Sequence, residues 1–269
     1  MKLHGVDFTS APTRHKRITI ASGCMNGEVL QLQALHSLTD FAAFETWLMQ
    51  PGPWITGFDL PFSLPRELVE HLCWPTAWPA LMRHLQTMTR ADLRLQFKAF
   101  CDARLAGNKF AHRATDIPAG SSSSMKWVNP PVAYMLHAGA PRLLEAGVTI
   151  PGIVDGDPQR VALEAYPGMV ARSITKASYK SDDKLKQTMD RRHAREQIIA
   201  ALEAGNTPWK ISLDAGKFRS DLLDDGSADL LDAVLCMVLA AWAWQRCEQN
   251  YGLPEFDALE GWIVGTVQK

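Results

Sequence analysis

The chain opens with a short apolar run that ends in a carboxylate, Leu3-His4-Gly5-Val6-Asp7-Phe8. This run decides the fold because two further strand-like segments follow it directly. Residues 17–23 and 27–35 favour β-strands, and Asn26-Gly27, just before the second of them, is a strong signal for a tight hairpin. The sequence therefore predicts that the chain begins with three antiparallel strands.

A helix and a fourth strand complete this opening. Thr39 or Asp40 can cap a helix that runs to about Met49. Residues 54–60, Trp-Ile-Thr-Gly-Phe-Asp-Leu, then form an apolar run typical of a strand buried on both faces of a sheet. The order β-β-β-α-β is that of the RNase H-like fold. We therefore predict an α/β protein with a mixed, RNase H-like sheet of strand order 3-2-1-4-5, whose second strand is antiparallel, flanked by helices.

The rest of the chain is expected to belong to the same domain, which would span residues 1–269. Residues 61–150 have mostly helical patterns and predict a helical insertion, interrupted by a long polar loop over 107–131. Helices are expected over residues 65–73, 91–105, 132–146, 182–204 and 227–248, and further strands over 148–153 and 161–164.

Five acidic residues lie where these predicted strands and helices begin or end: Asp7, Asp59, Glu164, Asp229 and Asp232. Asp7 and Asp59 close two parallel strands, whose carboxyl ends meet at one edge of the sheet. Asp229 and Asp232 share one face of a helix because they are three residues apart. Carboxylates this close repel one another unless cations neutralise them. We expect two Mg²⁺ or Mn²⁺ ions, bridged by Asp7, with Asp59, Glu164 and Asp232 as further ligands and Asp229 as a ligand or supporting residue.

Each carboxylate also has a simpler interpretation. A single Asp at a strand end or a helix start is more often a cap or a turn residue than a metal ligand. Asp229 in particular could be stabilised only by the dipole of the helix that it opens. The metal-site hypothesis therefore depends on all five residues converging.

Composition excludes several classes of protein. The formal net charge of the 269 residues is -1, which gives no general electrostatic support for binding nucleic acid. The five cysteines form no CxxC pair, which argues against a zinc site and a disulfide framework and favours a reducing, cytoplasmic compartment. The N-terminus has no basic-then-apolar leader, and the most apolar stretch, 230–244, is too short to span a membrane. We expect no membrane association.

Several short motifs together resemble one protein family. They are Gly5-Val6-Asp7-Phe8, Gly57-Phe58-Asp59-Leu60-Pro61-Phe62, Glu164-Ala165-Tyr166-Pro167, Asp229-Leu230-Leu231-Asp232-Ala233 and Glu260-Gly261-Trp262-Ile263. Their order and spacing resemble the domain-of-unknown-function family number 429, whose members are described as predicted RNase H-like nucleases. The resemblance implies that the five acidic residues form the site of a metal-dependent nuclease. It thus implies phosphodiester hydrolysis of nucleic acid or a nucleotide.

Two other functions use a similar fold. An RNase H-like module could bind a nucleotide or a protein partner without turnover. A sugar kinase of the actin-like type needs glycine beside the first-strand Asp, whereas here the run is Asp7-Phe8-Thr9-Ser10, so this alternative is weak. Thr9 and Ser10 remain candidates for contacts with substrate.

Basic residues offer further candidate contacts with phosphate groups. Lys126 is a candidate to stabilise developing phosphate charge, with Lys109 and Arg113 near it in the polar loop. Seven more cations cluster between residues 176 and 195, including Lys180 and Arg195. The alternative for this cluster is a solvated helix face paired with nearby acidic residues. Trp127 could stack on a base or simply pack, and His112 and His193 are candidates for acid–base help or plain surface residues.

Overall fold

The computed structural model describes residues 1–266 and has the expected mixed α/β architecture. Seven strands form one sheet: β1 (Lys2–Asp7), β2 (Ile18–Asn26), β3 (Val29–Leu38), β4 (Trp54–Asp59), β5 (Val148–Thr149), β6 (Asp157–Glu164) and β7 (Ser212–Asp214). Their order across the sheet is β5-β6-β4-β1-β2-β3-β7. β2 runs antiparallel to both of its neighbours, and all the other pairs are parallel.

The five inner strands, β3-β2-β1-β4-β6, match the predicted order 3-2-1-4-5. The strand beside β4 is sixth along the chain, because the two-residue β5 precedes it and pairs on its outer side. The three-residue β7 extends the opposite edge. The strand predicted over 148–153 is shortened to β5, and β7 was not predicted, because strands of two or three residues show no clear side-chain alternation. The predicted hairpin is present, and Gly27 in its turn has a φ of +61°.

The described residues form ten α-helices, most of which pack on the two faces of the sheet. They are α1 (Phe41–Leu48), α2 (Arg66–His71), α3 (Trp78–Gln86), α4 (Arg90–Asp102), α5 (Asp116–Ala119), α6 (Val132–Glu145), α7 (Pro167–Ile174), α8 (Met189–Glu203), α9 (Arg219–Asp224) and α10 (Asp229–Trp244). One apolar core packs α7 to α10 on one face, and a second packs α1 to α4 and α6 on the other. Helices α2 to α6 occupy the segment where an insertion was expected.

Helix α10 lies against the centre of the sheet, and two glycines allow its close approach. A Cβ atom on Gly5 of β1 would lie 2.0 Å from the carbonyl oxygen of Ala233. A Cβ atom on Gly57 of β4 would lie 2.5 Å from the carbonyl oxygen of Cys236. Backbone therefore packs directly on backbone where α10 crosses β1 and β4, and any larger residue at either glycine would push the helix away.

The start of α8 and the end of α10 differ most from the predicted boundaries. α8 begins at Met189 and not at residue 182, because Asp183 caps a separate 3-10 turn at Lys184–Lys186 by accepting a hydrogen bond from the Leu185 amide. α10 ends at Trp244, and residues 247–252 form a 3-10 turn instead of continuing the helix. No helix within residues 1–266 is long and apolar enough to cross a membrane.

Candidate functional site

Asp7 and Asp59 end the two central parallel strands and lie side by side. Their Cα atoms are direct register partners in the β1–β4 pair, and neighbouring strands are about 4.8 Å apart. Both residues share the face of Gly5 and Gly57, which is the face that α10 covers. No described residue donates a hydrogen bond to either carboxylate. The convergence of these two strand ends, predicted from the sequence, is thus present.

Asp229 and Asp232 enter the same region from the first turn of α10. The start of this helix is capped by a different residue, Asp225, whose carboxylate accepts hydrogen bonds from the amides of Ser227 and Leu230 at 3.1 and 2.9 Å. Asp229 and Asp232 are therefore not needed as caps. Asp232 has no exposed surface, whereas Asp229 is partly open to solvent.

Asp232 is held by two neighbours on the segment before α8. The hydroxyl of Tyr179 donates a hydrogen bond to Asp232 Oδ1 at 2.6 Å, and Lys180 Nζ forms an ion pair with Oδ2. Burial opposes the charged form of Lys180, but Asp232, Asp7 and Asp59 raise its pKa, so the side chain stays cationic. Burial of a carboxylate is costly without such partners.

Asp229 forms an ion pair with a lysine in the loop between β1 and β2. Lys16 Nζ lies 3.1 Å from Asp229 Oδ1 and 3.1 Å from Asp182 Oδ1. Burial lowers the pKa of Lys16, but Asp229, Asp7 and Asp182 outweigh it and raise the pKa overall. The carboxylates that converge at this edge are therefore balanced in part by two lysines.

Glu164 closes β6 but has a different environment. It shares its strand face with Ala162, which packs in the core opposite α10. There Arg113 donates to both of its oxygens, at 2.6 and 2.8 Å, and the Phe62 amide donates at 2.9 Å. Burial raises the pKa of Glu164, and Arg113 opposes that shift. Its carboxylate is thus already bound by a cation, although it lines the same cleft as Asp7.

Arg113 is not available to phosphate, contrary to the interpretation from sequence. Its side chain is 1% exposed and also pairs with Asp116 at 2.8 Å. A guanidinium buried between two carboxylates keeps its proton, and its pKa is raised further by both partners against the effect of burial. Arg113 is therefore a structural ion, which holds the polar loop against the end of β6.

The tail motif around Glu260 reinforces that arrangement. The carboxylate of Glu260 accepts hydrogen bonds from the amides of Arg66 and Ala114, at 2.8 and 2.9 Å. The Ile263 amide donates to Thr115 Oγ1 at 3.0 Å. The motif thus ties the start of α2 to the loop that contains Arg113.

The electrostatics of the pair Asp7 and Asp59 are unusual for carboxylates. Burial, together with the charges of Asp232, Asp229 and Asp59, holds the pKa of Asp7 well above its usual range. Burial, with further contributions from Asp232 and Glu164, raises the pKa of Asp59 to about 7, although Lys180 acts against that shift. Strongly perturbed carboxyl groups in a cleft are typical of functional sites.

A cleft of about 560 Å³ opens over these groups, which is within the range of about 300–1,000 Å³ for small-molecule sites. Asp7, Asp59, Glu164 and Asp229 line it, and so do Thr9, Ser10, Lys16, Lys180 and Tyr166. Asp232 is fully buried and is not part of the lining. Lys126 is not part of the lining, although Ser122, Pro130 and Pro131 of the same loop are.

Other candidates from the sequence lie elsewhere. Arg195 is buried and donates to the carbonyl oxygens of Leu223 and Tyr179, so it packs α8 and cannot meet a phosphate. Trp127 packs on Phe110 with ring centroids 5.5 Å apart. His112 and His193 are exposed and do not line the cleft.

Sequence reasoning missed two features of the site. Lys16 lies in the basic run Arg14-His15-Lys16-Arg17, which could have drawn attention as a charged loop directly after the first strand. Tyr179 had no recognisable signal, because its contact with Asp232 joins segments 53 residues apart. Lys180 was noted only as one member of a basic cluster.

The side chains do not form a ready-made metal site. Within residues 1–266, no group of three or more His, Cys, Asp or Glu side chains is arranged to hold an ion. The contacts explain this, since Lys180, Lys16 and Arg113 engage the oxygens of Asp232, Asp229 and Glu164. Asp7 and Asp59 are the members of the set that remain without a protein partner in the described chain.

Comparison with known proteins places the chain in a family. Residues 5–255 match the family described as "Protein of unknown function (DUF429)". No curated protein and no solved structure matches significantly. Because the family match covers far more than half of the chain and includes all five acidic residues, the protein belongs to the DUF429 family of unknown function, as its sequence motifs predicted.

Proposed function

We propose that this protein hydrolyses phosphodiester bonds of nucleic acid, with a divalent cation, Mg²⁺ or Mn²⁺, held at the ends of β1 and β4. One observation carries the proposal. Asp7 and Asp59 are adjacent in register, line the cleft and have no partner among the described residues. Burying two unpaired carboxylates is costly, and a bound cation would remove that cost.

The donor set suits a hard cation. Asp7 and Asp59 supply carboxylate oxygens, the ligands that Mg²⁺ and Mn²⁺ prefer, and Asp229 could join them if Lys16 turned away. Glu164 is bound by Arg113, so the geometry supports one ion better than the two expected from the sequence. Such an ion would activate a water molecule and offset charge on the scissile phosphate.

The surrounding side chains have roles that follow from their positions. Lys16 and Lys180 are cationic and line the cleft, so that they can bind the phosphate and stabilise the negative charge that develops on it. The hydroxyls of Thr9 and Ser10 can donate hydrogen bonds to phosphate oxygens. Tyr166 presents an aromatic ring on which a base could stack.

Calorimetric titration with Mn²⁺ tests the proposal, using the wild type, Asp7→Asn and Asp155→Asn. Asp155 is an exposed carboxylate just before β6 and serves as the matched control. We expect saturable binding that is lost in Asp7→Asn and kept in the control. Hydrolysis of bis(p-nitrophenyl) phosphate and of oligonucleotides should fall at least 100-fold in Asp7→Asn. Hydrolysis that survives in this variant, or that needs no metal, would contradict the proposal.

A second function is favoured by the two lysines. Because Lys16 and Lys180 already neutralise much of the acidic cluster, the cleft could bind a nucleotide phosphate without turnover. In that case Asp7→Asn would leave nucleotide affinity nearly unchanged, and no variant would show hydrolysis.

We also propose a cytoplasmic location, which the five free cysteines support.

A further inference from the structure

Helix α4 carries a row of basic side chains beside the cleft. Arg90, Arg94 and Lys98 are each four residues apart and exposed, so they follow one face of the helix over about 12 Å. Together with Leu95 and Tyr134 they line a second, open cavity of about 420 Å³. We call these three residues the α4 row.

The α4 row is continuous with the candidate site. The guanidinium of Arg90 donates a hydrogen bond to the carbonyl oxygen of Ser10, and Ser10 lines the cleft. Tyr134 of the second cavity is followed in α6 by Met135, which lines the cleft. A ligand that leaves the cleft past Ser10 therefore meets Arg90 first and the rest of the row beyond it.

The charges of the row are available to an anion. Arg94 forms no ion pair with any residue in the described part of the chain. Lys98 pairs with Asp102, but both side chains are more than half exposed, and such surface pairs contribute little. A phosphate could replace Asp102 at small cost. Tyr134 adds an aromatic ring that lies 5.2 Å from the Arg90 guanidinium, and Leu95, which is 70% exposed, adds an apolar surface.

We propose that the α4 row binds the backbone of single-stranded nucleic acid whose scissile phosphate lies in the cleft, with a base stacked on Tyr134. Cations that follow a backbone beside an aromatic ring are the usual means of binding single strands. Twelve ångströms corresponds to three or four nucleotides of a strand with stacked bases, at about 3.4 Å each. The row is a single line of charge on a chain of net charge -1, which suits one strand and not the two backbones of a duplex. This assignment rests on the proposed function, because it extends the same site.

Fluorescence anisotropy with labelled 12-nucleotide single strands, one of DNA and one of RNA, and with the corresponding duplex tests the assignment. EDTA is present, so that binding is measured without turnover. The variant is Arg94→Gln/Lys98→Gln. Its control is Lys2→Gln/Lys217→Gln, which removes the same charge at the amino end of β1 and beside β7. Thermal unfolding checks that both variants are folded.

We expect the wild type to bind a single strand more tightly than the duplex. The row variant should lose about tenfold in affinity at 0.1 M salt, and its salt dependence should weaken by about 1.4 in the slope of log K against log salt. The control should change by less than twofold. Equal losses in both variants, preference for the duplex, or no binding of either single strand would overturn the assignment.

Hydrolysis of bis(p-nitrophenyl) phosphate separates this inference from the proposed function. This small substrate cannot reach the α4 row, so Arg94→Gln/Lys98→Gln should hydrolyse it at the wild-type rate. Loss of oligonucleotide binding with intact hydrolysis supports both proposals. If the wild type shows no hydrolysis but binds single strands through the row, the nuclease proposal fails and the binding assignment stands.

Discussion

Asp7 and Asp59 face each other in register across β1 and β4, and neither carboxylate is bound by another described residue. The sheet thus brings two carboxyl groups together at a buried edge, where burial and neighbouring carboxylates raise the pKa of both. Such a pair destabilises the metal-free fold at neutral pH.

Asp59→Asn should raise the stability of the metal-free protein at pH 8. The pKa of Asp59 is raised to about 7 in the folded state. The protonated side chain therefore stabilises the fold at low pH, and this contribution is lost as the pH rises towards 7. A neutral amide avoids that loss. We expect the Tm in EDTA to rise by several degrees at pH 8, with a smaller difference at pH 5. A Tm at pH 8 that is no higher than that of the control Asp155→Asn would show that the charge is not harmful.

Lys180→Met should tighten Mn²⁺ binding. Lys180 is the cation nearest to Asp232 and acts on Asp7 and Asp59 as well, so it competes with any added cation for their negative charge. We expect the Kd for Mn²⁺ to fall by about tenfold, which corresponds to about 1.4 kcal/mol, as measured by calorimetry. Lys184→Met, at an exposed position, is the matched control. Weaker binding in Lys180→Met would mean that this lysine helps to build the metal site.

Arg113→Met should destabilise the fold more than any surface variant. It leaves Glu164 and Asp116 buried without their cation, and breaking a buried ion pair typically costs about 3–5 kcal/mol. Urea unfolding measures the change. Arg192→Met, which removes an exposed pair with Asp224, should cost less than about 1 kcal/mol. Similar costs for the two variants would contradict the structural role of Arg113.

His4 should make the protein sensitive to acid. It is buried on β1, where its Nδ1 lies 2.8 Å from Ser22 Oγ. Burial, with the charges of Lys2 and His36, lowers its pKa to about 4. Below pH 6.5 the His4 side chain takes up a proton in the unfolded chain but not in the folded protein. The free energy of unfolding therefore falls between pH 6.5 and 4, by up to about 3 kcal/mol.

The test for His4 compares the wild type with His4→Gln, because Asp7 and Asp59 change stability in the opposite direction over the same pH range. The difference in unfolding free energy between the two proteins should shift in favour of His4→Gln as the pH falls from 7 to 4. His193→Gln, at an exposed position on α8, is the control. A difference that does not change with pH would exclude this role.

The strand ends could be predicted from the sequence because they are encoded locally. Asp7 and Asp59 each follow an apolar run with the length of a buried strand, and chain order then makes the two strands neighbours. The same reasoning predicted that Asp229 and Asp232 share a helix face. It is the partners of these residues that the sequence does not show.

Those partners come from segments far away in the chain. Lys16 reaches Asp229 across 213 residues, and Arg113 reaches Glu164 across 51. Nothing in a loop sequence distinguishes an arginine that is buried in an ion pair from one that awaits a phosphate. Alternation along β6 also places Glu164 on the face of the sheet opposite α10. The sequence did not show this, because the predicted strand was short and its first residue was not defined.

The glycines beneath α10 fix more than the position of a helix. Because Gly5 and Gly57 place backbone on backbone, the distance between the main chain of β1 and β4 and that of α10 is set by direct contact. A cavity with such rigid walls would select ions by radius. It would favour Mg²⁺, whose oxygen ligands lie at about 2.0–2.1 Å, over Ca²⁺, which needs distances of about 2.3–2.6 Å and more ligands. Adaptation to a larger ion would then require a change in the glycines and not in the carboxylates themselves.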